Sequence, residues 1–180
     1  MGLVLVILFL FAIAFLIYKW ITIYNDFQFL FNKASQKLND VNVIFQQRLD
    51  NINALASLVQ KYSLHEYNTI KETIQARGKE PVTDEAIEKS LINVKAVKEE
   101  YPELKANSLF ESLMEKDSEI EMSLRDTRKE FNRIVQSYNT EVCQFPRNVV
   151  ADFHHIKKMT YFALDGMKPY DGKEIMGDVK

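Results

Sequence analysis

Histidines and acidic residues lie close together at two places in the sequence. His65 and Glu66 begin like the zinc motif His-Glu-x-x-His, but Thr69 stands where the second histidine is required. Asp152 and His155 lie three residues apart, as in half of a di-iron site. Such a site needs Glu-x-x-His twice, together with two further glutamates. We therefore expect no metal at either place.

A row of carboxylates follows the four-residue spacing that aligns side chains on one face of a helix: Glu111, Glu115 and Glu119. Carboxylates in such a row can bind a metal ion, although most rows of this kind are solvent-exposed faces. The single cysteine, Cys143, has one cation within a helical turn, Arg147, so we expect a buried, unreactive thiol. The sequence has no glycine-rich phosphate loop, Ser-His-Asp order or dinucleotide fingerprint. We predict no catalytic, cofactor or metal site, and metal or ligand handling by these carboxylates is the alternative.

Arg48 is the one polar residue in an otherwise apolar stripe. The stripe advances by three and four residues alternately, which is the heptad spacing of helices that pack side by side. Its members are Phe31, Ala34, Leu38, Val41, Phe45, Arg48, Ile52, Leu55, Val59 and Tyr62. An unpaired buried charge costs several kcal/mol, so a buried Arg48 needs a carboxylate. Asp117 is the candidate partner, and the alternative is that Arg48 reaches solvent past its own methylenes.

A hydrophobic segment precedes the elements that must position these residues. Gly2 to Ile23 contains a single charge, Lys19. As a helix it would span about 33 Å, enough to cross the roughly 30 Å hydrocarbon core of a bilayer. The residues Ala12-Ile13-Ala14 resemble a signal-peptide cleavage site, but no lysine or arginine precedes the run and apolar residues continue after it. We expect a retained transmembrane helix over residues 1–24 that contacts lipid through residues 2–23, without a lipid modification.

The charges that flank this segment predict its orientation. Lys19, Lys33 and Lys37 lie on its C-terminal side, whereas the other side carries only the α-amino group. Cations close to a membrane span are retained in the cytoplasm. We therefore expect a single-pass protein whose folded part is cytoplasmic.

Glycine and proline divide the rest of the chain into helices. Neither occurs from Leu3 to Arg77, which predicts one long helix. The apolar stripe changes register by one residue after Tyr62, and such a change does not by itself end a helix. Arg77-Gly78-Lys79-Glu80-Pro81 predicts a helix end followed by a loop.

Three further helices are predicted after this loop. The second begins at Thr83 and reaches about Glu100, where Tyr101-Pro102 interrupts it. The third runs from a capping box, Ser108 to Glu111, as far as Gln144. The last begins at Pro146 and carries apolar residues to Leu164, and a flexible tail follows over residues 166–180.

Composition agrees with an all-α fold. Five glycines and four prolines among 180 residues are too few for a turn-rich β or α/β domain, and one cysteine excludes an internal disulfide framework. With 23 basic and 25 acidic residues there is no positive excess for binding nucleic acid. Short loops favour antiparallel neighbours. We predict a transmembrane helix running into an elongated antiparallel bundle of about four helices, which occupies residues 25–165.

An aromatic run follows the transmembrane segment and consists of Phe27, Phe29, Leu30 and Phe31. These residues face several directions around one helix, so a single helix cannot shelter them all. The bilayer interface, a neighbouring subunit or the last helix of the same chain are the three possible covers. We predict self-association here, hence a homo-oligomer. The candidate interaction residues are these four together with Arg48 and Asp117.

Short motifs along residues 2 to about 162 resemble, in order, the LemA family of bacterial membrane proteins. They are Tyr24-Asn25, Asp40-Val41-Asn42-Val43, Arg48, Asp50, Tyr62, His65-Glu66, Ala76-Arg77, Tyr101-Pro102-Glu103-Leu104-Lys105-Ala106-Asn107, Arg128, Phe131-Asn132, Val135, Tyr138-Asn139, Phe145-Pro146 and Asn148. The family's Leu-Ile-Pro-Asn-Leu run is replaced by Asn51-Ile52-Asn53-Ala54-Leu55. The resemblance implies a single-pass helical-bundle protein of the bacterial cytoplasmic (inner) membrane without established enzymatic activity. For some members it also implies a link to membrane proteases of the HtpX type.

These observations favour a membrane-anchored interaction or scaffold protein without catalysis. Its expected partners are membrane lipid, further copies of the chain and a membrane protein such as an HtpX-type protease.

Overall fold

The computed structural model describes residues 1–75 and 84–162, and all regular secondary structure in these ranges is helical. The helices are α1 (Gly2–Val59), α2 (Leu64–Gln75), α3 (Asp84–Glu100), α4 (Pro102–Lys105), α5 (Ser108–Cys143) and α6 (Arg147–Phe153). The predicted all-α class is confirmed. The predicted loop at 77–81, the helix start at Thr83, the position of Leu164 and the tail at 166–180 lie outside the described residues.

Helix α1 is continuous from the apolar segment into the folded part of the chain, but it ends earlier than predicted. The N–H groups of Lys61 and Tyr62 bond to the carbonyls of Leu58 and Val59, three residues back, at 3.2 and 2.9 Å. Ser63 then caps α2, because its Oγ accepts a hydrogen bond from the N–H of Glu66 at 3.3 Å. The prediction that the helix continues through the register change after Tyr62 was wrong, since a capping sequence starts a new helix at this point.

Helix α5 has the length predicted for the third helix, with a different cap. The Oδ1 atom of Asn107 accepts hydrogen bonds from the N–H groups of Leu109 and Phe110, at 3.0 and 3.3 Å. Asparagine is among the best N-cap residues. The cap is therefore Asn107, one residue before the predicted Ser108.

The predicted last helix is much shorter in the structure, where α6 stops at Phe153. His155 has a positive φ of 53°, and residues 156–162, hereafter the strap, are not helical. Two asparagines of α5 pair with the strap backbone through both amide groups. Asn139 bonds Met159, with Nδ2 to the carbonyl at 2.9 Å and the N–H to Oδ1 at 2.8 Å. Asn132 bonds Phe162 in the same way, at 3.0 and 2.8 Å.

These paired bonds explain why the apolar pattern after Phe153 does not form a helix. Helical backbone would use the N–H groups of Met159 and Phe162 internally, and here both are bonded to asparagine side chains. The later strap residue pairs with the earlier asparagine, so the strap runs antiparallel to α5. The prediction of a helix from Pro146 to Leu164 was therefore wrong for residues 154–162.

The chain divides into two compact units. Among the described residues, unit 1 comprises residues 1–40 and 127–162, and unit 2 comprises residues 41–75 and 84–126. The buried core of unit 2 is aliphatic, with one phenylalanine among the described residues, and partly buried aromatic side chains pack around it. Its fully buried members include Ile52, Leu55, Val59, Ile70, Ile87, Val94, Leu104 and Phe110. These residues come from α1, α2, α3 and α5, with Leu104 added by α4.

Unit 1 has two smaller clusters along α1. In one, Phe27 packs against Tyr138 of α5 and against Val150 and Ala151 of α6. In the other, Ala34 packs against Phe131, Ile134 and Val135 of α5, covered by Tyr161 and Phe162 of the strap. Within the predicted apolar stripe, Phe31 and Leu38 are exposed, so α1 buries a narrower face here than the heptad pattern predicts.

Candidate functional site

The buried charges of unit 2 form the most distinctive polar site. Arg48 of α1 faces Asp117 of α5, with Nε 3.5 Å from Oδ1, and the exposed fractions of the two side chains are 4% and 6%. Arg48 Nη2 also lies 3.3 Å from Oε2 of Glu121, one turn further along α5. The pairing of Arg48 with Asp117 predicted from sequence is confirmed, and the alternative of a solvent-exposed guanidinium was wrong.

Asn51 completes this cluster, one turn after Arg48 on α1. Its Nδ2 donates a hydrogen bond to the carbonyl oxygen of Leu113 at 2.9 Å. Within this cluster, three buried atoms find no hydrogen-bond partner among the described residues: Asn51 Oδ1, Arg48 Nε and Asp117 Oδ1. The 3.5 Å contact between Nε and Oδ1 is thus an ion pair without hydrogen-bond geometry.

The electrostatics of Asp117 follow from its burial. Removal from water disfavours the carboxylate and raises its pKa above the usual value of 3.8, while the charge of Arg48 opposes this shift. The nearby charge of Glu121 adds to the rise in pKa. The cluster can therefore hold α1 and α5 in one register, and it stores a carboxyl group that takes up a proton more readily than an exposed aspartate.

Sequence reasoning missed Asn51 and Glu121. Both were detectable, because each lies one helical turn from a residue already singled out, at Arg48+3 and Asp117+4. An open cavity of about 430 Å³ lies beside Asn51 and is lined by Gln47, Asp50, Asn51, Ala54, Leu113, Lys116 and Ile120.

The other residues singled out for metal binding or reactivity do not form a common site in the described part of the chain. Glu111 pairs with Lys98 of α3 at 2.6 Å, and Glu115 and Glu119 are exposed. Within residues 1–75 and 84–162 no group of three or more acidic, histidine or cysteine side chains is placed to hold a metal ion. Cys143 is exposed, so the predicted burial of its thiol was wrong: it is the final residue of α5, beyond the face that packs on α1.

The aromatic run after the apolar segment divides into covered and uncovered residues. Phe27 is only 1% exposed, because Tyr138 and the residues of α6 cover it, and Leu30 packs partly against the same cluster. Phe29 and Phe31 are 67% and 48% exposed. The chain therefore covers part of this run itself, and leaves two phenylalanines uncovered within the part that the structure describes.

The apolar segment at the start of α1 has the length and composition of a membrane-crossing helix. Its most apolar 18-residue window has a mean hydropathy of 2.6, and none of that window is buried within the protein. A segment this apolar that the described part of the chain does not bury needs an apolar environment.

The comparison with known families decides the relationship of the chain. The sequence profile of the LemA family matches residues 37–171, well over half of the sequence. The chain belongs to the LemA family. The matched part of this LemA chain includes Arg48, Asp117, both strap-binding asparagines and the strap, and begins after the apolar segment. A comparison with curated protein sequences found no significant match.

Proposed function

We propose that this LemA-family chain is a membrane-anchored interaction or scaffold protein that self-associates or binds a membrane protein partner, without catalysis of its own. The observation that carries the proposal is the continuity of α1. The same helix has an unburied apolar segment at one end and contributes to the cores of both folded units along the rest of its length. A helix that is apolar and unburied at one end and part of the folded cores along the rest suits a protein that presents folded surfaces beside a membrane.

The uncovered phenylalanines support self-association. Phe29 and Phe31 lie a few residues beyond the apolar segment, on two different sides of α1 that the described part of the chain leaves open. Large exposed aromatic side chains on one helix are typical of surfaces that another helix covers.

The proposed location is the bacterial cytoplasmic membrane, crossed once, with the folded units on the cytoplasmic side. The family resemblance adds a membrane protease of the HtpX type as a candidate partner. Affinity purification of the full chain from native membranes tests this, because an interaction protein should retain a defined partner or further copies of itself. Recovery of the chain alone, as a monomer, would contradict the proposal.

Disulfide crosslinking tests self-association directly. Cysteines placed at Phe29 and Phe31, in a Cys143→Ser background and in native membranes, should give dimers under mild oxidation. Replacement of Cys143 is necessary because its thiol is exposed. Phe27→Cys is the matched control, since position 27 is buried within the same chain and should not crosslink. Absence of dimers at both positions 29 and 31 would show that the chain does not self-associate through these two phenylalanines.

A further inference from the structure

The end of α6 contacts α1 at the point where the apolar segment finishes. The ring of Phe153 meets Trp20 edge to face with 5.3 Å between centroids, and the ring of His154 lies 4.5 Å from that of Tyr24. Trp20 Nε1 donates a hydrogen bond to His154 Nε2 at 3.2 Å. Residues 153–155, hereafter the α6 turn, are thus held against Trp20 and Tyr24, at the C-terminal end of the apolar segment.

The contacts along α6 show in which direction this helix runs along α1. At its start, Arg147 Nη2 lies 3.0 Å from Oδ2 of Asp26. In its middle, Val150 packs in the cluster of Phe27, and at its end Phe153 reaches Trp20. Helix α6 therefore descends along α1 towards the apolar segment.

The chain then reverses at the α6 turn. His155, at positive φ, leads into the strap, which returns along α5 towards Asn132. Between α6 and the strap, the α6 turn is consequently the part that lies beside the C-terminal end of the apolar segment.

The exposed chemistry of the turn matches a lipid boundary. Phe153 is 69% exposed although it contacts Trp20, so one face of the ring is open. Tryptophan, tyrosine and histidine beside it combine apolar rings with polar groups, the combination that favours the headgroup level of a bilayer. Lys157 and Lys158 follow immediately and are exposed, so two cations are available to lipid phosphates.

We propose that the α6 turn lies in the phospholipid headgroup layer and forms a second contact of the chain with the bilayer, with Phe153 directed to the boundary of the acyl chains. This inference rests on the proposed membrane anchor. The hydrogen bond from Trp20 to His154 links the two contacts, because it satisfies the polar group of the indole within the protein. In this proposal the exposed face of the Phe153 ring contacts lipid from the membrane that α1 enters.

The test uses the full chain in vesicles of phosphatidylcholine and phosphatidylglycerol. A single cysteine at position 153, in a Cys143→Ser background, carries an environment-sensitive fluorophore. Spin-labelled lipids then quench it, with the label either near the headgroup or deep in the acyl chains. Two reference sites carry the same fluorophore: Leu10→Cys within the apolar segment, and Gln36→Cys. Gln36 is exposed on α1, about 24 Å along the helix from Trp20.

Three outcomes are distinguishable. Strong quenching at position 153 by the headgroup label, with strong quenching at position 10 by the deep label and little at position 36, is the expected result. Strong quenching at position 10 with position 153 as weakly quenched as position 36 would overturn the lipid contact and leave the anchor standing. A lack of quenching at position 10 would overturn the anchor and the lipid contact together.

A second labelling site protects the result against local damage from the loss of the Phe153 ring. Asp152 is exposed and immediately precedes Phe153, so Asp152→Cys carries the fluorophore with the aromatic contact to Trp20 intact. The headgroup label should quench this site as well. Quenching at neither position 152 nor position 153 would again overturn the contact.

Discussion

At the scale of single residues, Arg48 and Asp117 bring two charges into the interior of unit 2 with incomplete hydrogen bonding. Well-packed apolar residues often replace a buried ion pair without loss of stability, whereas removal of one partner is costly. The pair therefore contributes chiefly by fixing which turns of α1 and α5 face each other. A sideways or lengthwise shift of either helix would separate the charges inside the core.

Asp117→Ala should lower the free energy of unfolding of the purified chain by several kcal/mol, since it leaves Arg48 buried with Glu121 as its remaining carboxylate among the described residues. The matched control is Glu99→Ala, which removes the exposed pair between Glu99 and Lys105. That change should cost less than about 1 kcal/mol. Denaturant unfolding measures both. Equal shifts in the two midpoints would contradict a stabilising role for the buried pair.

The raised pKa of Asp117 gives stability a defined pH dependence. Above its ordinary pKa of 3.8 the unfolded carboxyl releases its proton, while the folded one still holds it. The folded state then binds more protons, so the free energy of unfolding falls as pH rises from 3.8 through the raised value. Unfolding midpoints measured from acidic to neutral pH should show this slope, and Asp117→Asn should flatten it. An unchanged slope in the variant would assign the effect to other groups.

At the scale of elements, regular apolar spacing predicted α3, α5 and most of α1, because burial of one face decides these helices. The boundaries depended on single polar side chains. Ser63 ends the run of α1 by capping α2, and a capping pattern was present in the sequence at Ser63 and Glu66. The strap was not predictable in this way, since its apolar residues have helical spacing. What prevents a helix there is bonding to Asn132 and Asn139, which lie far away in sequence.

The asparagines of the sequence illustrate the same limit. An asparagine side chain can either bond to another element or contact water, and the sequence does not distinguish these for Asn25, Asn42, Asn132 and Asn139. The structure exposes the first two and pairs the last two with the strap. Side-chain type alone carries no information about which asparagine will meet an unpaired backbone.

Asn139→Asp should loosen the strap. The new carboxylate retains an acceptor for the N–H of Met159 but opposes the carbonyl oxygen that Nδ2 now satisfies. We expect a cost of about 1–3 kcal/mol, the range for an unsatisfied buried polar group. Trypsin cleavage after Lys157 and Lys158 should accelerate. Asn42→Asp, at an exposed position, is the control and should leave the cleavage rate unchanged.

At the scale of the whole molecule, α1 belongs to the apolar segment and to both folded units without a break. In the membrane-anchored protein proposed above, the direction in which this one helix inserts would decide on which side of the bilayer the units lie. The flanking cations Lys19, Lys33 and Lys37 favour a cytoplasmic location.

Protease added to spheroplasts should accordingly leave the folded units intact, and lysis should expose them to cleavage. The exposed Lys157 and Lys158 provide trypsin sites for this measurement. A periplasmic protein digested under the same conditions shows that the protease is active. Cleavage of the chain without lysis would reverse the proposed orientation.

The pairing of the strap with α5 also sets a length that the sequence must keep. Asn132 and Asn139 are seven residues apart on a helix, about 10.5 Å along its axis. The three residue-to-residue steps from Met159 to Phe162 must cover the same distance, and fully extended chain reaches only about 10–11 Å over three steps. The segment is therefore taut. Deletion of one residue would leave a reach of about 7 Å, so only one asparagine could stay engaged. An inserted residue would have to loop out between Met159 and Phe162. The evolution of this segment is therefore constrained in length as well as in composition.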